Sequence, residues 1–344
     1  MARSKELYMK KQSGFTLVEL LVAMAITLVV VAATLGAFND ALRANEAVTL
    51  LADMDQNLRA GMNLVIRDLI QTGEMIPTGG IPIPSGAGAQ PINRPSPVGS
   101  AYTFDTTWTA LPAISPGASM GPVLLGQTTD MLTVLYGDNF LPLNQTQLAS
   151  IADNGSSATV DPGTPITGIN NAIRPGDLIM FSNAQGNAIQ QVTSVAGQTM
   201  NFATTDAFNL NKRSAGQGTI MQLKTGSVWP PTTAARIWMI TYYLDPTTNP
   251  RQPRLMRQVN FNPARPVAEV IENLQVSYDL VDNVTNPTNV KQPPSVNSAN
   301  QINKVNLSMS ARSNNRFGKT GQYLRNSLST QVSIRSLAYV DQYK

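Results

Sequence analysis

The sequence predicts an α+β fold: a long N-terminal α-helix, transmembrane and then amphipathic, packed on a mostly antiparallel β head that carries a β-rich insert. Three observations predict it. Residues 15–38 are an unbroken apolar run whose only charge is Glu19. Residues 39–73 continue with apolar side chains at helical spacing and contain no proline. From residue 123 onward, short β-prone runs alternate with turn signals.

The helix comes first. At 1.5 Å per residue, the run from Phe15 to Phe38 is long enough to cross the roughly 30 Å hydrocarbon core of a bilayer. Before it lie Arg3, Lys5, Lys10 and Lys11 against Glu6, a net of +3 out of the chain's formal +4. The positive-inside bias keeps that basic leader cytoplasmic and places the rest outside. Leu42, Val48, Leu51, Met54, Leu58, Met62, Val65 and Leu69 then follow at spacings of three, four and six. Polar residues, Arg67 and Asp68 among them, fill the other faces. The pattern ends near Gly73 and Pro77, so the prediction is one helix of about 55 residues and about 80 Å. A cleaved export signal predicts an end after small residues such as Ala32-Ala33 or Ala37, yet the helical pattern runs on. A plain single-span anchor accounts for the length and for neither Gly14 nor Glu19.

Composition narrows the chemistry. The chain has no histidine and no cysteine, which removes the commonest general base, thiolate nucleophiles and the usual zinc ligands. Beyond Gly14 the net charge is only about +1, +4 less the leader's +3, so no nucleic-acid partner is expected. No enzyme activity and no cofactor are expected.

Residues 74–122 are rich in Pro, Gly, Ser and Thr and read as a surface loop. In the head (123–344), strands are predicted at 122–125, 131–136, 177–182, 188–195, 200–203, 219–223, 235–244, 255–259, 274–281, 302–310 and 328–338. Arg174-Pro175-Gly176-Asp177 and Gly137-Asp138-Asn139 carry turn chemistry. Residues 266–273 read as a short helical turn, residues 173–203 as three strands, and about 140–225 as a small β insert. Trp229, Trp238, Tyr242 and Tyr243 read as core and strand filling rather than a binding platform. Asp138, Asp153, Asp161 and Asp177 lie in polar loops without the spacing of a calcium loop. Lys304, Arg312, Arg316, Lys319, Arg325 and Arg335 read as solvated surface.

Lys10-Lys11-Gln12-Ser13-Gly14-Phe15-Thr16-Leu17-Val18-Glu19 resembles the type IV prepilin signal. The resemblance implies that a membrane peptidase cuts between Gly14 and Phe15, releasing a leader of residues 1–14, and that Phe15 is then N-methylated. Glu19 becomes the fifth mature residue, expected to pair with the N-terminal amine of a neighbouring subunit. Leu17, Leu20, Leu21 and Val22 are the expected packing surface of a filament core. A buried carboxylate is costly without a partner, which fits a residue whose partner arrives on assembly.

Farther on, "IWMITYYLD", "RLMRQVN", "VAEVIENLQVSYDLVD", "INKVNLSMSARS" and "LSTQVSIRSLAYV" are similar to the strand-rich core of PilW/PulJ-like minor pilins. The expectation is therefore a minor pilin of the type IV pilus. It would be held in the inner membrane with a periplasmic head, processed by a prepilin peptidase/methyltransferase, and assembled with other minor pilins and the major pilin near the filament tip. Two alternatives stand beside it: a minor pseudopilin of a type II secretion system, and an adhesin or DNA-binding module delivered by the prepilin route.

Overall fold

The structure is a computed structural model that describes residues 14–334 except 87–88, 142, 169–171, 215 and 296. The leader residues 1–13, Arg335 and the end of the last predicted strand lie outside the described residues.

One helix, Leu17–Gln71, carries all 55 residues of the predicted rod. No proline interrupts it, and Thr16 caps its start. It ends where Gly73 takes a left-handed φ of +83°. There the Gly73 N–H donates to Leu135 O at 2.9 Å, and Gly137 N–H donates back to Glu74 O at 2.8 Å. The helix end is thereby tied to the strand Met131–Gly137. Met54, Leu58, Met62, Val65 and Leu69 are buried, whereas Leu42, Val48 and Leu51 stay exposed. The head thus buries only about the last third of the rod, with one further contact where Gly318 N–H donates to Glu46 Oε1. Close approach is possible at Gly61, where a Cβ would lie 2.9 Å from Ala268 Cβ and 3.2 Å from Leu255 Cδ2.

The β pairings among the described residues are antiparallel. A seven-stranded sheet is built around Thr233–Asp245. Along this strand, residues 233–237 pair with Leu178–Asn183, residues 237–242 with Met131–Gly137, and residues 240–245 with Arg254–Val259. Gly186–Gln191 and Arg265–Glu269 lie at its ends, and Ile114–Gly117 pairs with Met131–Gly137. A three-stranded sheet of Ile271–Leu280, Ile302–Arg312 and Arg325–Ser333 meets the same helix face. The main core lies between this face and the two sheets and includes Ile240, Tyr242, Leu255, Val276, Tyr278 and Leu307. A smaller four-stranded sheet, formed within residues 150–201, covers a second core that includes Phe181, Phe202, Ile220 and Leu223.

Four local expectations are corrected. Residues 265–273 form strand rather than a helical turn: Arg265–Glu269 runs into Ile271–Leu280 through Val270 at φ +58°. Pro266, which has no N–H to donate, is accommodated because its strand is at the sheet edge. Ile220–Leu223 is a 3₁₀ turn rather than a strand, with Gln222 N–H bonded to Thr219 O and Lys224 N–H to Met221 O. Its two buried residues, Ile220 and Leu223, are three apart, the spacing of that helix. Residues 173–203 contain four strands rather than three. The Pro/Gly-rich segment is not a surface loop, because Ile81, Ile83, Ile92, Phe104 and Leu111 are buried against Leu135, Ile189 and Met239.

Candidate functional site

The N-terminal end of the helix brings the predicted processing and assembly residues together. Thr16 is extended (φ −74°, ψ 150°) and accepts a hydrogen bond from Glu19 N–H at 3.3 Å. Glu19 reaches back: its Oε2 accepts from Thr16 N–H and from Thr16 Oγ1–H, both at 2.9 Å. This is a capping box, in which two otherwise unpaired donors at a helix start are satisfied reciprocally. Both intrachain bonds land on Oε2, and Oε1 accepts none among the described residues. The carboxylate also lies in the first turn, where the helix dipole favours negative charge.

Gly14 lies two residues before this cap and is exposed, as are Phe15, Leu17, Leu20, Leu21 and Val22. Phe15 exposes 88% of its surface and Leu17 76%. An isolated aqueous protein would pay dearly for such a surface, at about 25 cal/mol per Å² of apolar area. The helix is long and apolar enough to cross a membrane, and its apolar window is wholly uncovered by the head.

At the other end of the rod, Asp68 forms a clamp that sequence reasoning placed on a polar face. Its side chain is 1% exposed. It accepts from Tyr242 Oη–H at 2.6 Å, Tyr136 Oη–H at 3.2 Å and Arg257 Nε–H at 2.7 Å. Burial, then the Asp68 charge, pushes the Tyr136 hydroxyl up to about 12 and raises that of Tyr242 as well. Each partner comes from a different strand of the seven-stranded sheet, so the clamp fixes the helix to the head.

The remaining candidates do not converge on a reaction centre. Asp138 and Asp177 both engage Arg236, at 2.8 Å to Nε and 3.5 Å to Nη1. Burial raises the Asp177 carboxyl, opposed by the Arg174 N–H and Arg236. Asp153 pairs with Lys224, and Asp161 accepts from Gly163 N–H. Among the described residues no group of three or more acids is placed to hold a metal. Tyr242 and Tyr243 are buried, and Trp229 and Trp238 pack against different cores, so the four aromatics form no common platform. Arg312 corrects the expectation of a solvated face: it is buried, and its Nε lies 2.8 Å from Glu272, which also pairs with Arg325.

Two residues escaped the sequence reading, and both had a signal. Thr16-Leu17-Val18-Glu19 has the T-x-x-E pattern of a capping box. Asp68 follows Leu58, Gly61 and Val65 at steps of three, four and three, which places an acid on the buried stripe.

The fold and this end of the helix define a class: an α+β protein whose N-terminal rod, long and apolar enough to cross a membrane, begins at a capped, exposed segment. The family described as the prokaryotic N-terminal methylation motif matches residues 9–35. No curated protein and no solved structure matches the chain. The motif supports a protein of type IV pilin or pseudopilin type, and it implies processing by a prepilin peptidase and assembly with other pilins. The leader motif and the apolar helix fit a single-pass inner-membrane anchor.

Proposed function

We propose that the chain is a minor pilin of the type IV pilus, a structural subunit that primes assembly and sits at or near the filament tip. The observation that carries this reading is the methylation motif at residues 9–35, which opens a helix running unbroken into a β head. Processing cuts between Gly14 and Phe15 and methylates the Phe15 amine. The head faces the periplasm until the subunit is drawn into the filament. There Leu17, Leu20, Leu21 and Val22 pack against neighbouring rods. The Oε1 atom of Glu19, left out of its own capping box, receives the N-terminal amine of an adjoining subunit. The pilus is preferred to a type II secretion system on the length of the head and on the likeness of the C-terminal sequence segments to PilW-like minor pilins.

Mass spectrometry of the membrane-extracted protein tests the processing step. The expected N-terminus is N-methyl-Phe15; a start after Ala33 or Ala37 overturns the reading. Deletion of the gene tests the assignment to the pilus. Loss of surface pili and twitching is expected, whereas intact pili with failed exoprotein export assigns the chain to secretion instead.

A further inference from the structure

The contacts between rod and head show which end of the head lies nearest the apolar span. Descending the rod, Asp68 meets Tyr242 and Arg257. Gly61 then faces Leu255 and Ala268. Below it, Asp55 Oδ1 accepts from Asn326 Nδ2 at 2.6 Å. Lowest among the described residues, Glu46 Oε1 accepts from Gly318 N–H at 3.2 Å. Gly318 belongs to residues 313–324, which join the strands Ile302–Arg312 and Arg325–Ser333. This loop has internal order: Phe317 N–H donates to Gln322 O at 2.9 Å, and Gly321 N–H to Phe317 O at 2.8 Å. It is also tied to the neighbouring turn, residues 246–253, where Arg312 Nη2 donates to Arg251 O and Gln252 Nε2 to Asn314 Oδ1. Glu46 is eight residues beyond Phe38, so this end of the head stands about 12 Å along the rod from the last apolar residue of the span.

The charges of this end are uneven. Residues 313–324 carry Arg316 and Lys319, both exposed, and no acid; the adjoining turn adds the exposed Arg251. Among the described residues none of the three forms an ion pair. The cations higher on the head are balanced: Arg254 pairs with Asp245, and Arg312 and Arg325 share Glu272, with the exposed Glu269 nearby at the strand end. On the facing stretch of rod, Asp40 and Arg43 pair at 4.0 Å, which leaves Glu46 as the one acid set against three cations, a net of +2. The headgroup layer on each side of a bilayer is roughly 5–8 Å deep. A loop about 12 Å from the end of the span therefore stands within one Debye length, about 8 Å, of that layer. Three unpaired cations suit any anionic partner. The chain's own span brings one such partner to this loop, the phosphate-bearing surface of the bilayer.

We propose that residues 313–324, together with Arg251, dock on anionic phospholipid headgroups and seat this end of the head on the membrane. The proposal rests on the rod being a membrane anchor and is the same for a pilus or a secretion system. The chain has no cysteine, so a single introduced one carries a fluorophore at a chosen place. The full-length protein is labelled at Thr320→Cys, which keeps all three cations. It is reconstituted in nanodiscs of phosphatidylcholine, alone or mixed with phosphatidylglycerol, and headgroup spin-labelled lipid serves as the quencher. Two further labels frame the result: Ala37→Cys at the end of the span, and Phe140→Cys at the far end of the head, where the adjacent Asn139 bonds Glu74. Ala37→Cys should be quenched in both discs and Phe140→Cys in neither. Quenching at Thr320→Cys should be at least twofold stronger with phosphatidylglycerol, and the excess should vanish in high salt and in the double variant Arg316→Gln/Lys319→Gln. Arg316 also stacks on Tyr323, 5.4 Å from the ring centroid, so Lys319→Gln alone, which leaves that stack in place, should reduce the excess too. Equal quenching at Thr320→Cys in the two lipids, an excess untouched by both variants, or quenching at Phe140→Cys to match it overturns the proposal while the anchor stands. Absence of quenching at Ala37→Cys overturns the anchor and the proposal with it.

Discussion

Glu19 has two separable tasks, and a pair of substitutions tells them apart. Within its own chain it closes the capping box with Thr16; in the assembled filament it is proposed to meet a neighbour's amine. Glu19→Ala removes both. Glu19→Gln keeps an amide oxygen able to accept from Thr16 N–H at the observed 2.9 Å but abolishes the charge. Loss of a cap costs about 0.5–2 kcal/mol. An amine and a carboxylate about 4 Å apart attract by about 4 kcal/mol at an effective dielectric constant of 20. The charge therefore outweighs the cap, and Glu19→Gln should behave almost as badly as Glu19→Ala. The assay compares the subunit in sheared filaments with the subunit left in the membrane, in cells that make all the other pilins. At least a tenfold fall in filament content is expected for Glu19→Gln, equivalent to about 1.4 kcal/mol or more, with N-terminal cleavage unchanged. If Glu19→Gln enters filaments as well as the wild type while Glu19→Ala does not, only the cap matters and the pairing account is wrong.

Three further outcomes are expected. Asp68→Ala strands Arg257 and two tyrosine hydroxyls, so urea unfolding of the full-length protein should show a loss of about 3–5 kcal/mol; Asp68→Leu combined with Arg257→Met, Tyr136→Phe and Tyr242→Phe should recover much of it, and a single-mutant loss below about 1 kcal/mol contradicts the clamp. Tyr136 has its hydroxyl raised from 10.0 to about 12 in the fold, so its contribution is complete below pH 10 and drains away as pH climbs towards 12; the alkaline fall in melting temperature should be shallower in Tyr136→Phe. Gly61→Ala should fail to give the roughly 1 kcal/mol that helix propensity predicts, because the new Cβ meets Ala268 Cβ at 2.9 Å; a clear rise in melting temperature would mean that helix and sheet are less tightly apposed.

The rod was legible because its signals are local. Apolar periodicity, the absence of proline and the Gly73 stop each act within a few residues, and together they gave both ends of Leu17–Gln71 closely. The strand order of the head was not legible, since pairing Leu178–Asn183 with Thr233–Asp245 joins segments some fifty residues apart. Nor was the burial of residues 81–111. Proline and glycine there signal turns, while the isolated Ile81, Ile83, Ile92 and Phe104 are too sparse to show a period. The stripe from Leu42 to Leu51 obeyed helical spacing yet met no head, because spacing tells which face is apolar and not what covers it. Glu19 was found through its motif, whereas its reciprocal bond with Thr16 required only the T-x-x-E pattern.

The attachment of rod to head also sets how the molecule carries load. Any axial pull on the membrane end enters the head through Met54, Leu58, Met62, Val65 and Leu69, which lie along the direction of pull and share it in shear. The charged clamp at Asp68 and the two backbone bonds joining residues 73–74 to the neighbouring strand sit at the far end of that seam. A helix levered sideways opens first at the Glu46–Gly318 contact and at Met54, and reaches those bonds last. The joint is therefore better suited to resist extraction along its axis than bending across it, which is the loading that the assembly proposed above would impose.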